Sequence, residues 1–129
     1  MTCPPNTAKP PAHAFFDAFN RVDVPAIADS LNFPHIRLNQ GKFNIFPTRE
    51  DFIERTAKLK ANLEKEGWHR SLIESVDIIH ATPEKVHMTL NITRRRADDT
   101  IYSPFESLWI ATLQDGHWGI AFRSSYLGE

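Results

Sequence analysis

Two side chains in this 129-residue sequence are suited to moving protons in a confined space, His35 and Glu106. An imidazole exchanges a proton near neutral pH, and a carboxyl among apolar neighbours keeps its proton to higher pH than usual and so serves as an acid. Arg37 and Asn39 share the strand face of His35, because residues two apart on a strand point the same way. They add a planar fork of donors for a carboxylate and an amide that can orient a carbonyl. Alternation leaves the opposite orientation equally open, with Ile36 and Leu38 in the core and the three polar residues in water. Glu106 faces the same choice. With Leu108 and Ile110 inward, its carboxyl is an acid or an ion-pair partner for Arg37; with Phe105, Ser107 and Trp109 inward, it is solvated.

Aromatic residues supply the rest of a candidate site. Trp118, Ile120, Phe122, Ser124 and Tyr126 alternate along the last apolar stretch and read as one broad face. Of these, Trp118, Phe122 and Tyr126 are candidates to contact a ligand, and Tyr126 and Tyr102 could present phenols to it. The six histidines are scattered with no helical pair and Cys3 is the only cysteine, so no metal site is expected. Phosphate loops, nucleophile motifs and dinucleotide fingerprints are missing from the sequence, so no cofactor is expected either.

Charge and hydropathy narrow the partners. Lys and Arg total 15 against 16 Asp and Glu, which gives no field for a polyanion. The run Arg94-Arg95-Arg96 is answered at once by Asp98 and Asp99 and has no aromatic platform beside it, so no nucleic-acid partner is expected. No apolar run approaches the roughly 20 residues of a membrane span, and Met1 to Pro11 lacks the pattern of a secretory signal. With one cysteine and no disulfide possible, a cytoplasmic protein with no membrane partner is expected.

The elements that must position these residues follow from periodicity. Residues 1–11, rich in proline, read as a flexible tail ahead of a single domain over 12–129. Phe15, Phe16, Phe19 and Val22 mark one face of a helix from about Ala12 to Val22. Asp23 caps a second helix that carries Pro25, Ile27 and Leu31 and stops at Pro34. His35 to Asn39 is a strand, Gln40-Gly41 a turn, and Phe43 to Phe46 a brief run. Thr48 caps a third helix that carries Phe52, Thr56, Leu59 and Leu63 and ends at Gly67. Four long strands follow, Trp68 to His80, Lys85 to Arg95, Tyr102 to Leu113 and His117 to Leu127, separated by turn residues. Helices followed by an antiparallel sheet define an α+β layer.

This order, the Phe-rich first helix passing through Asn20 and Asp23, and the closing Asp115-Gly116-His117-Trp118 resemble the nuclear transport factor 2-like superfamily over about Ala12 to Leu127. The resemblance implies three N-terminal helices packed on a strongly curved, mostly antiparallel sheet, a cone-shaped α+β barrel with a pocket, and a homodimer. It also turns Arg37 and Asn39 inward. In the ketosteroid isomerase branch a first-helix tyrosine stabilises the oxyanion, and Phe15 stands there instead, as a ligand-contacting ring. The general-base aspartate is replaced by Asn39. Pro104-Phe105-Glu106 matches the local pattern of the second acid, so the resemblance keeps one polar role of three and does not support simple isomerisation of that type.

The expectation is therefore a SnoaL-like pocket protein for a small, mostly apolar carbonyl or carboxylate compound. Either it binds that compound or it acts by cofactor-free acid–base chemistry as an isomerase, cyclase or dehydratase. In the catalytic case Glu106 or His35 moves protons and Arg37 and Asn39 stabilise negative charge. The alternative is a non-catalytic homodimeric module whose core is filled by its own side chains, with His87, Thr89, Asn91 and Thr93 on the outer, dimer-forming face.

Overall fold

A computed structural model describes residues 9–128. Residues 1–8 of the expected tail, including Cys3, lie outside the described residues. The elements run α1 (Lys9–Asn20), α2 (Val24–Asp29), β1 (Leu31–Asn39), β2 (Lys42–Phe46), α3 (Arg49–Arg55), α4 (Leu59–Lys65), β3 (Arg70–Ala81), β4 (Lys85–Arg95), β5 (Ile101–Gln114) and β6 (His117–Ser125). Helix α1 begins at Lys9 rather than Ala12, since the first turn has no helical acceptor for its N–H groups and tolerates proline.

Each helix end has a local cause. Asn20 closes α1 by acting as a strand partner: its amide donates to the Ser71 carbonyl (2.9 Å) and accepts from the Ser71 N–H (2.8 Å). Asp23 caps α2 by accepting from the Ala26 N–H at 3.1 Å. That helix stops at Ser30 and Leu31 already belongs to β1, so Pro34 lies inside a strand and does not terminate the helix. Thr48 caps α3 through the Asp51 N–H. The single third helix expected from the apolar stripe is broken into α3 and α4 at Thr56, whose hydroxyl bonds back to the Phe52 carbonyl at 2.6 Å and whose backbone leaves helical geometry.

The six strands form one open sheet in the order β2-β1-β6-β5-β4-β3. Four of the pairings are antiparallel and β1 runs parallel to β6. Single extra residues interrupt several pairings: Glu74 and Ile79 in β3, Tyr102 in β5 and Ala121 in β6. Such bulges bend the bulged strand and increase its twist, which curves the sheet around the helices.

The inner face carries the core. Val86, Met88, Leu90 and Ile92 of β4 are buried with Trp109 of β5 and Ile120 of β6 against Phe15, Phe16 and Phe19 of α1 and Ile27 of α2. Each large apolar side chain so buried contributes roughly 1.5–3 kcal/mol. No helix among the described residues is long and apolar enough to cross a membrane.

Candidate functional site

Strand register settles the two orientations left open by alternation. Arg37 lies opposite Arg123 and Asn39 opposite Ser125 across the parallel pair, and His35 on the same face is fully buried. His35, Arg37 and Asn39 therefore face inward. On β5 the buried face is the one with Ser107 and Trp109, so Glu106 is exposed on the outer face, beside Leu108, Phe122 and Tyr126. Glu106 and Arg37 are on opposite sides of the sheet. The expected ion pair cannot form, and Glu106 is not available as an acid inside the fold.

Between α1, the α2–α3 region and the sheet lies a cavity with two lobes. The outer lobe, about 280 Å³, has an apolar wall of Ile27, Phe46, Phe52 and Leu59. The inner lobe, about 40 Å³, is lined by Phe16, Ser71, Ser107, Trp109 and Ser125 among others. Phe15, Phe19, Arg37, Arg94, Arg123 and Leu127 border both. Three guanidinium groups thus meet where the lobes join.

Their partners are unequal. Arg94 is paired with Glu66 at 2.8 Å, whereas among the described residues no carboxylate lies within ion-pair distance of Arg37 or Arg123. Arg123 stacks over Phe15, 4.8 Å from the ring centroid, and its Nε donates to His35 Nε2 at 2.9 Å. Burial, with Arg94 nearby, pushes Arg37 below the usual guanidinium range. Burial, then Arg37 and Arg94, pushes Arg123 well below it. A guanidinium does not give up its proton in a protein, so these shifts mark a cost that the folded state carries.

His35 supports this cluster. A guanidinium N–H can only donate, so His35 Nε2 must accept, and Nδ1 carries the proton that it donates to the Ile120 carbonyl at 2.8 Å. Burial, then Arg123, lowers its pKa from 6.5 to about 3, with Arg37 adding to the shift and the Ile120 carbonyl opposing it. Both ring nitrogens are engaged with protein groups. The ring orients Arg123, and it is not placed to exchange protons with a ligand.

The other expected residues are dispersed. Phe15 and Arg37 line both lobes. Asn39 is on the right face, with its buried Oδ1 unpartnered among the described residues, but does not border the cavity. Tyr102 donates to Glu66, with Arg96 stacked over its ring at 4.5 Å, so it reaches the cavity only through the Glu66–Arg94 pair. Burial, then Glu66, raises its phenol pKa. Trp118 packs against the core, and Phe122 and Tyr126 lie on the outer face.

Three cavity groups escaped the sequence reading. Arg123 and Ser125 point inward because the bulge at Ala121 reverses the facing of everything after it: Ile120 lies opposite Ala111, but Phe122 lies opposite Ile110. Arg94 was concealed in a basic run. Its neighbour Arg95 does pair locally with Asp99 (3.3 Å), and across the paired strand with Glu74 (2.7 Å), while Arg94 borders the cavity. Trp109 and Ser107 were assigned to one of two possible faces and no further. Among the described residues no group of three or more His, Cys, Asp or Glu converges for a metal.

An open, curved α+β sheet wrapped on three helical regions is the NTF2-like, or cystatin-like, fold. A family profile described as NTF2-like protein (DUF6841) matches residues 11–126, and the chain belongs to that family. Among curated proteins none matches this chain. Solved structures match in fold. An NTF2-like protein of unknown function from Shewanella oneidensis is 16% identical with a TM-score of 0.71, covering 92% of this chain and 94% of that one. A ketosteroid isomerase-like protein from Erwinia carotovora atroseptica is 14% identical with a TM-score of 0.68, over 97% and 96% of the two chains. A protein of unknown function with a cystatin-like fold from Nostoc punctiforme is 13% identical with a TM-score of 0.70, over 92% and 86%.

Proposed function

We propose that this protein binds a small, mostly apolar carboxylate in its two-lobed cavity and does not transform it. The observation that carries the reading is the pair Arg37 and Arg123, two guanidinium groups bordering a cavity with no carboxylate partner among the described residues. A bidentate carboxylate matches the guanidinium fork, and the aromatic and aliphatic wall of the outer lobe suits a hydrocarbon remainder. Binding is favoured over turnover because no carboxyl group among the described residues borders the cavity and the nearby imidazole is held between two protein groups. General acid–base catalysis needs a proton carrier within reach of the ligand.

The test is a panel of alkyl and aryl carboxylates screened by thermal shift and quantified by calorimetry. Binding should raise the melting temperature, and Arg37→Gln should weaken it about tenfold or more, since a hydrogen bond to a charged group is worth roughly 1.5–3 kcal/mol. The same variant should melt higher than the parent when no ligand is present, because one of the two cations without a carboxylate partner among the described residues is gone. A panel in which no carboxylate stabilises the protein would defeat the reading.

A second reading adds to the first. The outer sheet face presents Leu38, Leu108 and Phe122, and the paired strand β2 sets Phe43 (66% exposed) and Ile45 (51% exposed) on that face. We propose that two copies of the chain associate through this face, which would leave both cavities free. Light scattering at micromolar concentration should return twice the chain mass, and a monomer there would remove the dimer.

A further inference from the structure

The inner lobe contains more than cations. Trp109 is 2% exposed and Ser107 is 4% exposed; both line the inner lobe, and neither Trp109 Nε1 nor Ser107 Oγ has a hydrogen-bond partner among the described residues. The indole N–H can only donate. Its ring is fixed by Phe16, stacked at 5.5 Å and 13°, and by Phe15, edge-on at 5.0 Å and 75°, so it has little freedom to turn toward a protein acceptor. A buried donor left unpaired costs about 1–3 kcal/mol. Two such groups sit on one strand face, two residues apart, beside two guanidinium groups that lack an anion. All four are satisfied by the same thing, an acceptor bearing negative charge.

We infer that the inner lobe is a carboxylate-head pocket, in which the ligand's two oxygens accept from Trp109 Nε1–H, Ser107 Oγ–H and the guanidinium groups of Arg37 and Arg123 while its hydrocarbon part fills the outer lobe. The inference rests on the anion-binding reading of the cavity and adds the orientation and class of ligand. Size supports it. A volume of about 40 Å³ admits a carboxylate or one to two waters but no aromatic ring, whereas the outer lobe at about 280 Å³ admits one. Water in the inner lobe would satisfy the two neutral donors but leave the cations uncompensated. A carboxylate has acceptor sites for all four groups, and a tetrahedral sulfonate has an extra oxygen to place in the same small space.

Hexanoate, octanoate and 3-phenylpropanoate are the probes, with hexanol and hexanesulfonate as controls, titrated into ¹⁵N-labelled protein. The indole N–H resonances of Trp68 and Trp118 are internal references, because Trp68 already donates to Ser71 Oγ at 2.9 Å and Trp118 lies outside the cavity lining. The Trp109 indole proton should move downfield with the carboxylates while the other two stay nearly still. Ser107→Ala should weaken carboxylate binding about fivefold and leave hexanol unaffected. Carboxylate binding that leaves the Trp109 indole unmoved and is indifferent to Ser107→Ala would overturn the head placement and keep the cavity reading. Hexanesulfonate binding as tightly as hexanoate would overturn the ligand class. Failure of every anion to bind would overturn both.

Discussion

His35 is an imidazole that the fold keeps neutral. Its two bonds admit one tautomer, and Arg37 and Arg123 face it, so a second proton would place a third cation in the same buried space. The linkage to stability has a definite sign. The folded-state pKa of about 3 is below the ordinary 6.5, so the unfolded chain takes up the proton first as pH falls. The His35 contribution is complete above pH 6.5 and is lost progressively toward pH 3, by about 1.4 kcal/mol per pH unit in mid-window. Between pH 6.5 and 5 most carboxylates are still charged, and His87, whose pKa is also lowered by burial and then by Lys85, contributes equally to parent and variant, so the difference between them reads His35. Urea unfolding across that range should show stability falling with pH in the parent. The slope should be flatter in His35→Gln, whose amide can still donate to Ile120 and accept from Arg123. Equal slopes would mean that the imidazole is not buried in its neutral form.

At the scale of elements, β6 does most to set the site, and a residue without a side chain lets it approach β1. A Cβ on Gly119 would stand 2.7 Å from the Leu31 carbonyl carbon and 2.8 Å from its oxygen, and backbone cannot move aside as a flexible side chain can. Gly119→Ala should therefore cost roughly 1–3 kcal/mol in thermal or urea unfolding. It should also weaken carboxylate binding, because it forces apart the strands that carry Arg37 and Arg123. A variant that melts like the parent would show that this approach is looser than described.

The same strand explains what could and could not be read from sequence. Strand β4 was legible to the residue, Lys85 to Arg95, because its alternation is unbroken and turn residues bracket it. The caps at Asp23 and Thr48 were legible because the side chain that makes each one is local. On β6 the large residues fall on even positions throughout, so Trp118, Phe122 and Tyr126 read as one face. The extra residue at Ala121 parts them, and it is defined only by pairing with β5, which no local pattern records. The position of Glu106 had the same kind of uncertainty. Its strand was correct, but the choice of face depended on which side the helices cover.

For the whole molecule, a formal net charge of −1 conceals a strongly cationic interior spot. Composition averages over the surface, while the three arginines at the cavity come from β1, β4 and β6 and meet only when the sheet is assembled. His35 and Arg123 are 88 positions apart. Contacts at such separation are costly to close until the strands between them have paired, which predicts that the β1–β6 pairing is a late event. On the proposed binding reading, a carboxylate would have nothing to hold before that event. Stopped-flow folding with and without hexanoate should show the ligand slowing unfolding by nearly its full stabilisation while the folding rate stays the same. A ligand that hastens folding would reveal the arginines already gathered in the transition state. With an unchanged folding rate, the ligand prolongs the life of the native protein and has no part in guiding the chain to it.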